Sequence, residues 1–168
     1  MIFITVKALY KKECYIKGLT AQNVIREALY EDNREDDFNN ALETLFLCSQ
    51  NGYPVNNNFL VKLMYVATEK RPNKELFKSK CERLIDNFCI AGKESIFHLL
   101  DLKMLYFSVI DGTTNEEEIR KFFEKDVVID ADYFDEYYNT LDDICQYAMT
   151  TGNYFLFQTV LTKLNSLD

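Results

Sequence analysis

Few side chains in this 168-residue chain are suited to acid–base or nucleophilic chemistry: there is one histidine, and there are five cysteines. His98 lies between Phe97 and Leu99 on the apolar face of a predicted helix, a position typical of a packed histidine rather than a general base. A Cys–His dyad would need a cysteine that folds beside His98, and the spacing of the cysteines favours none of them.

The cysteines do not form a recognisable metal or disulfide framework. Their number is odd, no two have C-x-x-C spacing, and a zinc site would need ligands paired at short spacing. Most lie in helical patterns beside apolar neighbours, where a free cysteine behaves as a small hydrophobic residue. We therefore expect reduced structural thiols in a cytoplasmic or nuclear protein. The five are Cys14, Cys48, Cys81, Cys89 and Cys145.

Motifs of common catalytic and nucleotide-binding sites are absent from the sequence. It contains no G-x-S-x-G, no H-E-x-x-H and no G-x-G-x-x-G, and its five glycines are spread along the chain rather than gathered into a phosphate-binding loop. We therefore expect a protein that is not an enzyme and that carries no cofactor.

An acidic run invites comparison with a metal site. It consists of Asp126, Asp130, Asp132, Asp135 and Glu136. A calcium loop needs oxygen ligands at alternate positions and a glycine at the sixth, and this run has no such glycine. Carboxylates at helix N-termini are favoured by the helix dipole, so we interpret the run as capping residues and predict no bound metal.

Charge is distributed unevenly along the chain. The formal net charge is -8, yet residues 62–103 carry nine basic and six acidic side chains, and residues 104–168 carry four basic and thirteen acidic. A basic face is predicted at Lys70, Arg71, Lys74 and Lys78, and Lys80 and Arg83 follow it. This face would contact phosphates or an acidic partner segment. The alternative is a solvated helix face with interleaved glutamates, and the overall negative charge disfavours a nucleic-acid partner.

Aromatic side chains provide a second candidate surface, which we call the aromatic face: Tyr133, Tyr137, Tyr138 and Tyr154. Aromatic residues surrounded by charge are typical of interface hot spots. We expect Tyr133 to have room to face outward. The alternative is that all these rings pack between helices.

The elements that must position these residues are helices. Apolar residues recur at helical spacing, and with only five glycines and two prolines the chain lacks the turn residues of β architectures. We predict about eight helices in antiparallel hairpins, either an αα-hairpin array or an irregular bundle, within a single domain spanning residues 1–168. The predicted ranges are 20–31, 38–51, 58–69, 74–90, 93–110, 115–125, 132–150 and 153–165. The predicted N-terminal caps are Thr20, a Thr114-x-x-Glu117 capping box and Asp132. Residues 32–37 are predicted to form a polar break, and the glycines at positions 52, 92, 112 and 152 are predicted to end helices.

The pattern of residues 1–18 fits two kinds of secondary structure. Residues 1–18 alternate like a short strand at Ile2, Ile4 and Val6, yet a helix is the favoured interpretation.

No apolar run approaches the roughly 18–20 residues that cross a bilayer. The first apolar residues precede the charges, the reverse of a secretory signal. We therefore expect no membrane association.

Residues 20–54 resemble one pentatricopeptide or tetratricopeptide-type helical hairpin. The resemblance rests on Asn40-Ala41-Leu42-Glu43 in the second helix and on Asn51-Gly52-Tyr53-Pro54 at its end. The proline comes one place earlier than in the G-x-x-P of the family. The resemblance covers about a fifth of the chain. In the pentatricopeptide family it implies RNA binding, with Gln22 and Asn56 at the nucleotide-selecting positions.

Size and helix count also resemble the viral Bcl-2-like class of regulators, although the Asn-Trp-Gly-Arg signature of that class is missing and the chain has no tryptophan. The interpretation favoured by the residues is a non-catalytic interaction module, an adaptor or subunit of a larger complex that binds a peptide or partner helix. A homo-oligomer is compatible with this interpretation.

Overall fold

The computed structural model describes residues 2–55, 73–88 and 92–167, with side chains from residue 12 onward. It confirms the all-α prediction, since these ranges contain seven α-helices, one 3₁₀ turn and no strand. The helices are α1 (Ile2–Ala28), α2 (Glu35–Gln50), α3 (Lys74–Asn87), α4 (Lys93–Asp111), α5 (Glu116–Glu124), α6 (Phe134–Thr151) and α7 (Tyr154–Ser166). The predicted helix at 58–69 lies outside the described residues.

Contacts along the chain group into two compact units, Met1–Ala91 and Gly92–Asp168, which we call the N-terminal and C-terminal units. The single domain over residues 1–168 stays a prediction. None of the described helices is both long enough and apolar enough to pass through a bilayer.

The N-terminal segment is helical, and the alternative strand does not form. One helix runs from Ile2 to Ala28, so the helix predicted to begin at Thr20 is the second half of a longer one. The Thr20 hydroxyl, expected to cap that helix, donates instead to the carbonyl of Ile16 at 2.9 Å inside the helix. The buried stripe Ala21, Ile25 and Ala28 follows the helical period, which outweighs the β-branched alternation at the start.

Asparagine caps set three of the helix starts. The side chains of Asn73, Asn115 and Asn153 accept hydrogen bonds from the backbone N–H three residues on, at 2.9–3.2 Å. The predicted capping box at Thr114 is therefore displaced by one residue, because Asn115 provides the cap and the Thr114 hydroxyl donates to the Glu118 carboxylate.

The prediction that Asp132 is a helix cap is also wrong, because the capping residue is Asp130, two positions earlier. The Asp130 carboxylate accepts from the Asp132 backbone N–H at 3.1 Å and starts the 3₁₀ turn Ala131–Tyr133, after which α6 begins at Phe134. Ser95 fixes this turn because its hydroxyl accepts from the Asp130 backbone N–H at 2.8 Å. Part of the acidic run therefore consists of capping residues, as predicted.

The helix α2 begins earlier than its apolar pattern suggests. Its first turn is Glu35, Asp36 and Asp37, which sequence reasoning had placed in a polar break. Three carboxylates at a helix N-terminus interact favourably with the helix dipole, which offsets the absence of a capping side chain at Arg34.

Buried side chains of the N-terminal unit connect α1, α2 and α3. Lys80 of α3 is fully buried, and its ammonium donates to the carbonyls of Ala28 and Glu31 at 2.8 Å each, just past the end of α1. The terminal carbonyls of a helix have no i+4 donor within the helix, so a buried lysine here adds a donor at the end of α1. The same ammonium lies over the Phe38 ring, 5.5 Å from its centroid.

Burial in the C-terminal unit is dominated by rings. The His98 imidazole of α4 stacks on Phe122 of α5, with centroids 4.9 Å apart and planes 4° apart, and it lies 5.7 Å from the ring of Tyr137 of α6. Tyr133 and Tyr137 are both almost completely buried. Helices α6 and α7 pack together across the Gly152–Asn153 connection, where Gly152 takes the left-handed conformation with φ of 71°.

Candidate functional site

A groove between α1 and α2 is the most developed concave surface of the N-terminal unit. The two helices run antiparallel, as Cys14 lies beside Cys48 while Val24 lies beside Ala41. Two cavities of about 610 Å³ and about 340 Å³ open along their seam, and Lys17 and Thr44 line both. The two cavities are therefore adjacent along the seam, and we call them together the α1–α2 groove.

The depth of the groove comes from small and polar side chains on its floor and flanks. On α1 these positions are Glu13, Cys14, Lys17, Thr20 and Ala21, with the apolar Val24 beside them, and on α2 they are Asp37, Asn40, Ala41, Thr44 and Cys48, followed by Asn51 at the C-cap. They recur every three or four residues, so each set occupies one face of its helix. Larger side chains at these positions would fill the seam.

Two large apolar side chains flank the groove in solvent. Ile16 of α1 is 53% exposed and Leu47 of α2 is 52% exposed, and each lines one of the two cavities. Apolar side chains that line a concavity and remain open to solvent are features of ligand and partner sites.

Close packing behind the groove fixes the distance between the two helices. Gly18 of α1 faces the ring of Tyr53, and a Cβ at this glycine would lie 2.6 Å from the nearest ring carbon, so no larger residue fits. The Tyr53 hydroxyl donates to the Gln22 side-chain oxygen at 2.8 Å in a buried setting. Burial raises the pKa of Tyr53, which keeps the phenol protonated as a donor.

Charges around the groove are mostly acidic and mostly paired. Residues 12–55 carry eight acidic and four basic side chains. Lys17 pairs with Glu13 at 2.9 Å, and Arg34 pairs with Asp37 at 3.1 Å. Hydrogen bonding to these carboxylates raises the pKa of Lys17 and of Arg34. The acidic side chains in excess of these pairs give the region a net negative charge.

Two thiols meet at one end of the groove. The Cys14 Sγ of α1 donates to the backbone carbonyl of Cys48 on α2 at 3.7 Å, and both residues line the larger cavity. Cys14 is half-buried and Cys48 is buried. Burial raises the pKa of the Cys48 thiol, the adjacent Cys14 adds to the rise, and Lys17 opposes it.

The predicted basic face is only partly described, and it stays a prediction. Lys70 and Arg71 lie outside the described residues, while Lys74 is half-buried and Lys78 is exposed at the start of α3. Lys80, which sequence reasoning had added to the same stretch, is fully buried.

Arg83, the last member of that basic stretch, also has intramolecular partners. Its guanidinium pairs with Glu35 and Asn39 of α2 and lies over the Phe38 ring, 5.0 Å from the centroid. The basic residues at the C-terminal end of the stretch thus join α3 to α2.

The predicted aromatic face divides into two pairs. Tyr133 and Tyr137 are each 1% exposed, so the expectation that Tyr133 faces outward is wrong. The 3₁₀ turn before α6 directs this ring inward, where it packs against the backbone at Gly92. Tyr138 and Tyr154 are exposed, and Tyr154, at 73% exposure, accepts a hydrogen bond from Gln158 at 2.9 Å.

His98 has the surroundings of a packed histidine, as predicted. Its ring neighbours are Phe122 and Tyr137, and burial lowers the pKa of the imidazole, against an opposing effect of Asp101. Burial also raises the pKa of Tyr137 to about 12. Within the described ranges, no three histidine, cysteine or acidic side chains are grouped so as to hold a metal ion.

The nucleotide-selecting position implied by the pentatricopeptide resemblance is not open at Gln22. This side chain is buried and accepts the Tyr53 hydrogen bond, and Asn56 lies outside the described residues. No family model, curated protein or solved structure matches the chain. Membership of the repeat family stays a prediction.

Sequence reasoning missed the α1–α2 groove. The available signal was the recurrence of small and polar residues at helical spacing on one face of each helix, as at Thr20, Ala21, Ala41 and Thr44. That pattern is indistinguishable from an ordinary solvated face until the two helices are known to be neighbours. The Cys14–Cys48 pairing gave no signal, because the residues are 34 positions apart.

Proposed function

We propose that this chain is a non-catalytic interaction module and that the α1–α2 groove binds an amphipathic helix of a partner protein. The observation that carries the proposal is the pair of adjacent cavities along the α1–α2 seam, one lined by the exposed Leu47 and the other by the exposed Ile16. Binding a helix in a groove buries such apolar side chains and is a recurrent mode of peptide recognition.

The length of the groove suits a short helix. Its α1 side extends from Glu13 to Val24, which at 1.5 Å per residue is about 17 Å, or three turns of a bound helix. Apolar residues at positions i, i+3 or i+4, and i+7 of the partner would then reach the floor at Ala21, Ala41 and Thr44.

Charge favours a basic partner. Residues 12–55 have twice as many acidic as basic side chains, and Lys17 and Arg34 are already paired with carboxylates. An acidic helix or a nucleic-acid phosphate would meet repulsion at this surface, whereas lysine and arginine on the flanks of a bound helix would increase the association rate and specificity. This is the reason for preferring a protein partner to RNA.

The proposal is tested by selecting helical peptides of about 15 residues from a display library on the full-length chain. We expect the enriched peptides to carry an apolar stripe at helical spacing, flanked by lysine or arginine. Their affinity, measured by fluorescence anisotropy, should fall at least tenfold for the variants Ile16→Glu and Leu47→Glu, because each places a charge where apolar contact is required.

A matched control is available on the other unit. Met149 is 64% exposed on α6, so Met149→Glu makes the same chemical change at an exposed apolar side chain away from the groove. It should leave peptide affinity unchanged. Enriched peptides that bind equally well to Ile16→Glu and Leu47→Glu would contradict the groove as the site, and enrichment of acidic peptides would contradict the charge argument.

A further inference from the structure

Two cysteines that are far apart in sequence are held together across the seam of α1 and α2. The Cys14 Sγ donates to the Cys48 carbonyl at 3.7 Å, so the Cys14 sulfur is in direct contact with the residue that carries the second thiol. Neither is in a disulfide. The packing of Tyr53 against Gly18, one turn along α1 from Cys14, keeps the helices close at this level.

The two thiols differ in access. The cavity of about 610 Å³ reaches both residues and is wide enough to admit a small oxidant. Cys14 is half-buried and Cys48 is buried, so an incoming reagent meets Cys14 first.

We propose that Cys14 and Cys48 form a reversible redox site, in which a hydroperoxide oxidises Cys14 and Cys48 resolves the product to an intramolecular disulfide. Such pairs, with one accessible thiol beside a resolving thiol, are the arrangement of redox-sensing cysteines. The site does not depend on the groove binding a helix.

The reaction balances with hydrogen peroxide as oxidant. The Cys14 thiolate attacks one peroxide oxygen, an S–O bond forms, the O–O bond breaks, and the departing hydroxide takes up the thiol proton as water. The Cys48 sulfur then attacks the Cys14 sulfur of the sulfenic acid, an S–S bond forms, the S–O bond breaks, and a second water leaves with the Cys48 proton. Two thiols lose two electrons in total, and the peroxide gains them.

The experiment treats the reduced full-length chain with hydrogen peroxide, blocks the remaining thiols by alkylation, and analyses a non-reduced digest by mass spectrometry. We expect a cross-linked peptide pair joining Cys14 and Cys48, the loss of two alkylation sites, and full reversal by a dithiol reductant. In Cys48→Ser the reaction should stop at Cys14 sulfenic acid, which dimedone traps.

The matched control is Cys81→Ser, because Cys81 is a buried cysteine of the same unit that does not line this cavity. It should retain the cross-link, whereas Cys14→Ser should lose it. The proposal is overturned if peroxide oxidises Cys14 to sulfinic acid without cross-linking, if Cys14 pairs with another cysteine or another molecule, or if both thiols stay reduced. A digest of urea-unfolded protein, in which pairing becomes unselective, checks that the fold selects the partner.

Discussion

The two units differ in how side chains fill the space between their helices. In the C-terminal unit the rings of Phe122 and Tyr137 pack against His98, Tyr133 is turned inward against Gly92, and the result is a filled core. In the N-terminal unit the seam between α1 and α2 is lined by small and polar residues, and Ile16 and Leu47 stay in solvent. A core is built where bulky rings fill the space between helices, and a groove remains where residues are too small to fill it.

This difference explains why the potentially reactive side chains of the two units differ in accessibility. The imidazole of His98 is buried between the rings of Phe122 and Tyr137. The thiols of Cys14 and Cys48 lie on a cavity that opens to solvent. Accessibility, more than residue type, separates a packed group from a reactive one.

The largest effect is expected from emptying the filled core. Tyr137→Ala should lower the free energy of unfolding by about 3–5 kcal/mol, because it removes a fully buried ring and leaves a cavity. The adjacent Tyr138→Ala is the control, and it should cost less than about 1 kcal/mol since that ring is exposed. Urea unfolding followed by circular dichroism measures both. Equal losses for the two variants would contradict the division of the aromatic face.

A smaller loss is expected where the N-terminal unit buries a charge. Lys80→Met keeps the length of the side chain but removes the ammonium that donates to the carbonyls of Ala28 and Glu31, and it should lower the free energy of unfolding by about 2–4 kcal/mol. Lys78→Met makes the same change at an exposed position of α3 and should stay within about 0.5 kcal/mol. If Lys80→Met is as stable as Lys78→Met, the role of Lys80 at the end of α1 is refuted.

The smallest effect concerns the pH dependence of the C-terminal unit. Burial lowers the pKa of His98 in the folded protein below its ordinary value of 6.5, with Lys125 and Lys163 acting in the same direction and Asp101 opposing them. The unfolded chain therefore binds a proton first, so stability falls as the pH drops through 6.5 and stops falling once the folded imidazole is protonated. The slope is at most about 1.4 kcal/mol per pH unit.

Urea unfolding between pH 7.5 and pH 5.5 tests this pH dependence on the wild-type chain and on His98→Gln. Because His98 is the single histidine, the difference between the two curves isolates its contribution. We expect that difference to shrink at the acidic end as the wild type loses stability. A wild type that gains stability relative to His98→Gln on acidification would mean that the imidazole is stabilised in its charged form.

Much of the secondary structure could be predicted from local signals. Gly112 and Gly152 end helices with positive φ, as predicted, and the helix starts predicted at residues 74 and 153 agree with the observed starts to within one residue. These features depend on a few neighbouring residues, so the sequence contains the whole interaction. The strand alternative at the N-terminus is wrong, since α1 runs from Ile2 to Ala28.

The site was harder to predict, since its members are joined by contacts between distant residues. Nothing in the neighbourhood of Lys80 indicates that its ammonium bonds to carbonyls 49 and 52 positions away, and its charge suggested a solvent-facing residue. Similarly, Tyr133 is buried because the 3₁₀ turn before α6 directs its ring inward, and the expectation of an outward ring did not include this turn.

The amino-acid sequence by itself determined that this protein is helical, where many of its helices begin and end, and that its histidine is packed, since periodicity and capping act within a few residues. Only the tertiary structure decided which lysines and tyrosines are buried, that α1 and α2 leave a groove, and that Cys14 meets Cys48. The physical reason is that burial and proximity are properties of pairs of elements, and a helix face acquires its role from what packs against it.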